Sequence, residues 1–91
     1  MSTHEIIWTK QFKKDIKRQK RQKKDFTILK NTIELLSENK VIPEEQKPHQ
    51  LTGYKKKHFE CHIEPDWLLI WTKEKNSIYL TRTGSHSDLF N

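Results

Sequence analysis

Three short clusters in the second half of the chain hold nearly all the residues able to do chemistry. They are Pro48-His49-Gln50-Leu51, His62-Ile63-Glu64-Pro65-Asp66-Trp67 and Arg82-Thr83-Gly84-Ser85-His86, the last followed by Phe90. Histidines titrate near neutral pH and move protons, an aspartate can orient them or share that work, and an arginine can hold a phosphate. This inventory is what metal-free cleavage of an RNA phosphodiester requires. RNA supplies its own nucleophile, the 2′-hydroxyl. The protein has to take that proton, return one to the departing 5′-oxygen and stabilise charge on the phosphorus oxygens. His62 and Asp66 can point to one side of a sheet across the turn between them, and Arg82 and His86 leave the last strand beside them, so the clusters can converge at one sheet end.

Other chemistries fit less well. His58, Glu60 and His62 share strand parity and could hold a metal, but Cys61 faces the other way and the sequence has no Cys-x-x-Cys or His-Glu-x-x-His. No metal and no cofactor is expected. Cys61 falls among Phe59 and Ile63 and reads as packing rather than as a nucleophile. Two glycines in the whole chain leave no phosphate-binding loop. Trp67 is either core or a stacking surface for a base, and Phe90 either a plug on the core or an aromatic platform.

The elements that must position these clusters follow from patterning. Glu5-Ile6-Ile7-Trp8 reads as a first strand. Thr9 can cap a helix over Lys10–Lys24, and Asp25 a second one carrying Phe26, Leu29, Ile33 and Leu36 at three- and four-residue spacing, ended by Asn39 and Pro43. Residues 41–56 are irregular. Then follow strands over His58–Ile63, where His58, Glu60 and His62 oppose Phe59, Cys61 and Ile63, over Trp67–Trp71, and over Ser77–Thr83, joined by tight turns. The expectation is one small α+β domain over residues 1–91, with a two-helix hairpin packed on a mainly antiparallel four-stranded sheet.

With 91 residues, 32% of them hydrophobic and a third charged, such a domain gains from a partner that covers its surface. The formal charge of +6 favours polyanions. Nine Lys/Arg and the lone acid Asp15 lie between Lys10 and Lys24, either as a solvated helix face or as a nucleic-acid surface. No apolar run approaches a membrane span, Met1–Glu5 has no signal-peptide character, and the single cysteine fits a reducing cytoplasm.

In this order and spacing the clusters resemble the YafQ-type branch of the RelE/ParE toxin superfamily. The likeness rests on His49-Gln50-Leu51-Thr52-Gly53, His62-Ile63-Glu64-Pro65-Asp66-Trp67 and Arg82-Thr83-Gly84-Ser85-His86-Ser87-Asp88-Leu89-Phe90. It implies a RelE-like fold and a ribosome-dependent endoribonuclease that cuts mRNA, held inactive by a cognate antitoxin in a hetero-oligomeric complex. By position, His49, His62, Asp66, His86 and Phe90 match the residues important for cleavage, while Trp67 and Arg82 match neighbouring motif positions. Lys13, Lys17, Arg18, Lys20 and Arg21 would dock on the ribosome. One departure stands out: relatives commonly carry an arginine three residues before the His-x-x-Pro-Asp histidine, and here that residue is Phe59. Lys55, Lys56 or Lys57 would then assist Arg82 at the phosphate. The alternative is a non-catalytic toxin of ParE type acting on a protein such as DNA gyrase.

Overall fold

A computed structural model describes residues 3–90; Met1 and Ser2, read above for signal-peptide character, lie outside the described residues, as does Asn91. The order of elements is β1 (Glu5–Trp8), α1 (Lys10–Arg21), α2 (Thr27–Ser37), a 3-10 turn (Glu44–Gln46), β2 (His49–Leu51), β3 (His58–Glu64), β4 (Trp67–Glu74), β5 (Ser77–Gly84) and α3 (His86–Phe90). The fold is α+β, as expected, but the sheet has five strands in the order β1-β5-β4-β3-β2. The additional strand, β2, lies in the stretch read as irregular. Three residues are too few to show alternation, and only pairing with β3 makes them a strand. All pairings are antiparallel except that of β1 with β5.

Both long helices begin and end through local chemistry. Thr9 caps α1 as expected, its hydroxyl accepting the Phe12 amide at 3.2 Å. Asp25 does not cap α2: Phe26 holds the N-cap position with no side-chain bond, and Asp25 Oδ1, one residue earlier, accepts the Thr27 amide at 2.9 Å in a turn that leads into the helix. At the far ends, Lys23 and Asn39 turn left-handed with φ of 57° and 58°. The amides of Lys24 and Lys40 then reach back to the carbonyls of Gln19 and Leu35 at 3.2 and 2.9 Å, closing each helix. The left-handed Lys23 stops α1 at Arg21, short of the expected Lys24.

The helices cover one face of the sheet. Phe12 and Ile16 of α1 and Leu29 and Leu36 of α2 pack on Cys61, Ile63, Trp67, Leu69, Trp71, Ile78 and Leu80. Burial pushes the Cys61 thiol up to about 12, which suits a packing role. The other face of the sheet stays open. A bulge decides what faces it on β5: Trp71 pairs with Leu80 but Ile70 pairs with Arg82, so Thr81 is an extra residue. Leu80 remains in the core, Arg82 starts on the open face, and Thr83 returns to the core side beside Leu69.

Candidate active site

The open face presents two rows of side chains across the strands. One row is His49, Glu60, Ile70 and Arg82, each paired in register with the next. The second is His62, Leu68 and Gly84. The floor, Leu68 and Ile70, is buried although it lies outside the main core cluster. Beyond the second row, the Pro65-Asp66 turn and α3 meet at one end of the sheet.

At that end Asp66 and His86 form a pair. Asp66 Oδ1 lies 2.6 Å from His86 Nδ1 and also accepts the His86 amide at 3.0 Å. The amide bond and then the ring contact hold the Asp66 carboxyl below its ordinary range. Fixing Nδ1 fixes the ring, so Nε2 is left to work on a substrate. The His62 ring stands 5.9 Å from that of His86, centre to centre, and the Phe90 ring 6.5 Å from it. Phe90 is half exposed beside His86, so it does not plug the core.

The first row holds a second acid–histidine pair. His49 Nε2 is 3.2 Å from Glu60 Oε1, and its Nδ1 is 2.8 Å from the Lys47 carbonyl. Glu60 is buried and His49 about half exposed. Both ring nitrogens of His49 thus face oxygen acceptors, which fixes the orientation of the ring. Asp66 therefore belongs with His86, not with His49 and His62 as the order of the motifs suggests.

Arg82 is anchored sideways. Its Nε and Nη2 donate to Asp15 Oδ2 and Oδ1 at 2.8 and 3.3 Å. Burial would raise the Asp15 carboxyl, but donors from Arg82, the Thr83 amide, Arg18 and Gln11 outweigh it and hold it below its ordinary value. The Asp15 bond in turn raises the Arg82 guanidinium.

The remaining expected residues scatter. Trp67 is 1% exposed, caps the core against Phe26, and gives its indole N–H to Thr83 Oγ1 at 2.8 Å, so its ring offers no stacking surface to a base. Lys56 is 2.8 Å from Glu74, six residues along β4 from Leu68, the partner of His62, and Lys55 and Lys57 share its exposed loop. They do not adjoin His86. Lys13, Lys17, Lys20 and Arg21 are exposed on α1, whereas Arg18 turns inward to Asp15 and the Thr83 carbonyl. Phe59 stacks on Trp71 at 6.0 Å and faces the helices. Position 59 is thus on the helix side of β3 and not on the open face that carries His62 and Glu60.

Two residues escape the motif reading. Glu60 shares parity with His62, which was the available signal. Asp15 is the only acid in a run of nine basic residues, a signal read above only as charge pattern. Among the described residues no group of three His, Cys, Asp or Glu is placed to hold a metal.

Comparison with known proteins bears on this arrangement. The family described as "Bacterial toxin of type II toxin-antitoxin system, YafQ" matches residues 4–91. The mRNA interferase toxin YafQ of Escherichia coli K12 is 35% identical over 91 residues, covering 99% of each chain. A crystal structure of the E. coli DinJ-YafQ toxin-antitoxin complex superposes with a TM-score of 0.91 at 34% identity, over 98% of this chain and 99% of that one. A metal-bound toxin from Helicobacter pylori gives 0.90 at 34% identity, over 96% and 99%.

Proposed function

Because the chain belongs to the YafQ family of bacterial type II toxins, we propose that it is an endoribonuclease that cuts mRNA on the ribosome in the cytoplasm, using no metal. A cognate antitoxin holds it in check within a hetero-oligomeric complex, as the relative's complex with DinJ suggests. The observation that carries the reading is the Asp66–His86 pair, 2.6 Å apart, with His62 beside it on an open sheet face.

In this reading the 2′-hydroxyl attacks the adjacent phosphorus. His62 takes its proton, with His49 and Glu60 completing that side, and His86 gives a proton from Nε2 to the leaving 5′-oxygen. Asp66 holds the His86 ring throughout. Arg82 stabilises the charge on the non-bridging oxygens. Phe90 stacks against a flanking base. The exposed lysines of α1 dock on ribosomal RNA. Although the H. pylori relative is metal-bound, no three His, Cys, Asp or Glu among the described residues are placed together to hold an ion, and the proton transfers proposed here need none.

The test is cleavage of a defined mRNA on programmed ribosomes in EDTA, with analysis of the ends. Products with 2′,3′-cyclic phosphate and 5′-hydroxyl ends are expected, and His86→Ala should lower the rate by about 10²–10⁴-fold, the usual cost of losing a general acid or base. Metal-dependent cutting to 5′-phosphates would overturn the mechanism. Growth arrest with intact mRNA would favour a toxin that acts on a protein.

A further inference from the structure

We propose that Asp15 is a positioning residue for this reaction, fixing the Arg82 guanidinium so that its free N–H groups are presented to the scissile phosphate. The inference rests on the RNA-cleaving reading above.

Asp15 is fully buried, and a buried carboxylate is expensive unless its partners are many and well placed. Part of its role is structural. Strand β1 stops at Trp8, so beyond that point β5 has a free edge. Helix α1 runs alongside it. Asp15 Oδ2 accepts the Thr83 amide at 3.1 Å, and Arg18 Nη2 donates to the Thr83 carbonyl at 3.0 Å, replacing the missing strand. Arg18 Nη1 also meets Asp15 Oδ1 at 2.9 Å. These bonds already close the edge.

Arg82 is the partner that edge closure does not need. It starts on the open face, in the row of Glu60 and His49, and its head is drawn to Asp15 by two bonds from the Nε side. Of the five N–H groups of a guanidinium, this uses two and leaves three. The cluster is close to neutral, with Asp15 and Asp88 against Arg18 and Arg82, Asp88 lying 3.5 Å from Arg18. What Arg82 offers an anion is therefore its three uncommitted N–H groups in a fixed orientation, not surplus charge. A lysine could reach either Asp15 or a phosphate, but its single nitrogen could not grip one with a fixed fork while offering parallel donors to the other. Preorganisation of this kind stabilises a transition state because the donor need not reorient as charge develops.

The experiment is single-turnover cleavage on programmed ribosomes, with ribosome affinity measured separately for each folded variant. Asp15→Asn and Arg82→Lys should each lower the cleavage rate by about 10²-fold, the scale of losing one preorganised donor, with affinity little changed. In an Arg82→Ala background, Asp15→Asn should cost nothing further. Asp15→Asn near wild-type rate overturns the inference, as does a further tenfold or so loss in the Arg82→Ala background, which would mark a structural role. Should Asp15→Asn fail to fold, Arg82→Lys decides: a near-wild-type rate overturns the inference. No cutting by the wild type overturns the parent reading and this one together, whereas an active wild type with an unimpaired Asp15→Asn overturns this one alone.

Discussion

Replacing Thr83 by valine tests how the two catalytic segments are tied together. The Thr83 hydroxyl accepts the Trp67 indole N–H at 2.8 Å and donates to the Leu68 carbonyl at 2.7 Å. Thr83 and Leu68 are fully buried and Trp67 is 1% exposed. Valine keeps the shape, so no cavity forms, but it strands one buried donor and one buried acceptor. At about 1–3 kcal/mol each, the loss is about 2–6 kcal/mol. The added methyl offsets about 0.8 kcal/mol, leaving a net destabilisation of about 3 kcal/mol. For a domain of this length, at about 4–8 °C per kcal/mol, Tm should fall by roughly 15 °C. Thermal unfolding followed by circular dichroism and tryptophan fluorescence measures it, with Thr83→Ser as the control that keeps the hydroxyl and loses only the methyl. A Thr83→Val protein within about 0.5 kcal/mol of wild type, or more stable than Thr83→Ser, would refute the reasoning, because it would mean these bonds contribute little net stability. The consequence for function is direct: Trp67 follows Asp66, and Thr83 lies three residues before His86.

Glu60→Gln removes the charged partner of His49 and should slow cleavage about tenfold, the low end for a charge-assisted bond because His49 is half exposed; an unchanged rate on ribosomes would take Glu60 out of the site. The native Asp15 carboxyl lies below its ordinary 3.8. Its stabilisation is therefore complete above that value and lost as pH falls through the lower native one, and acid unfolding of Asp15→Asn should be less steep below about pH 4. Equal acid slopes for the two proteins would contradict this. Cys61, with its thiol near 12 and no exposed surface, should be a thiolate only about one part in 10⁴ at pH 8; iodoacetamide should label it only after unfolding, and rapid labelling of the native protein would count against the packing.

Much of the fold is legible without coordinates because it is written in local terms. Thr9 caps α1 because its hydroxyl can reach an amide three residues on, and Asp25 turns the chain into α2 by a similar short reach, although Phe26 is the N-cap. The alternation along β3 separates His58, Glu60 and His62 from Phe59, Cys61 and Ile63 whatever the strand packs against. The resemblance of the three ordered clusters pointed to the same family that the comparisons show. Tertiary structure decided which of those residues meet. The bulge at Thr81 inverts parity on β5, so counting from Leu80 would send Arg82 into the core, whereas pairing with Ile70 starts it on the open face. Asp66 joins His86 across 20 positions of sequence, and Arg82 joins Asp15 across 67. Pairings at such range depend on strand order and on where β1 stops, and neither is encoded in any local window. Local chemistry supplied the titratable groups; the closing of the sheet edge by α1 and the meeting of the β3–β4 turn with α3 set them against one another.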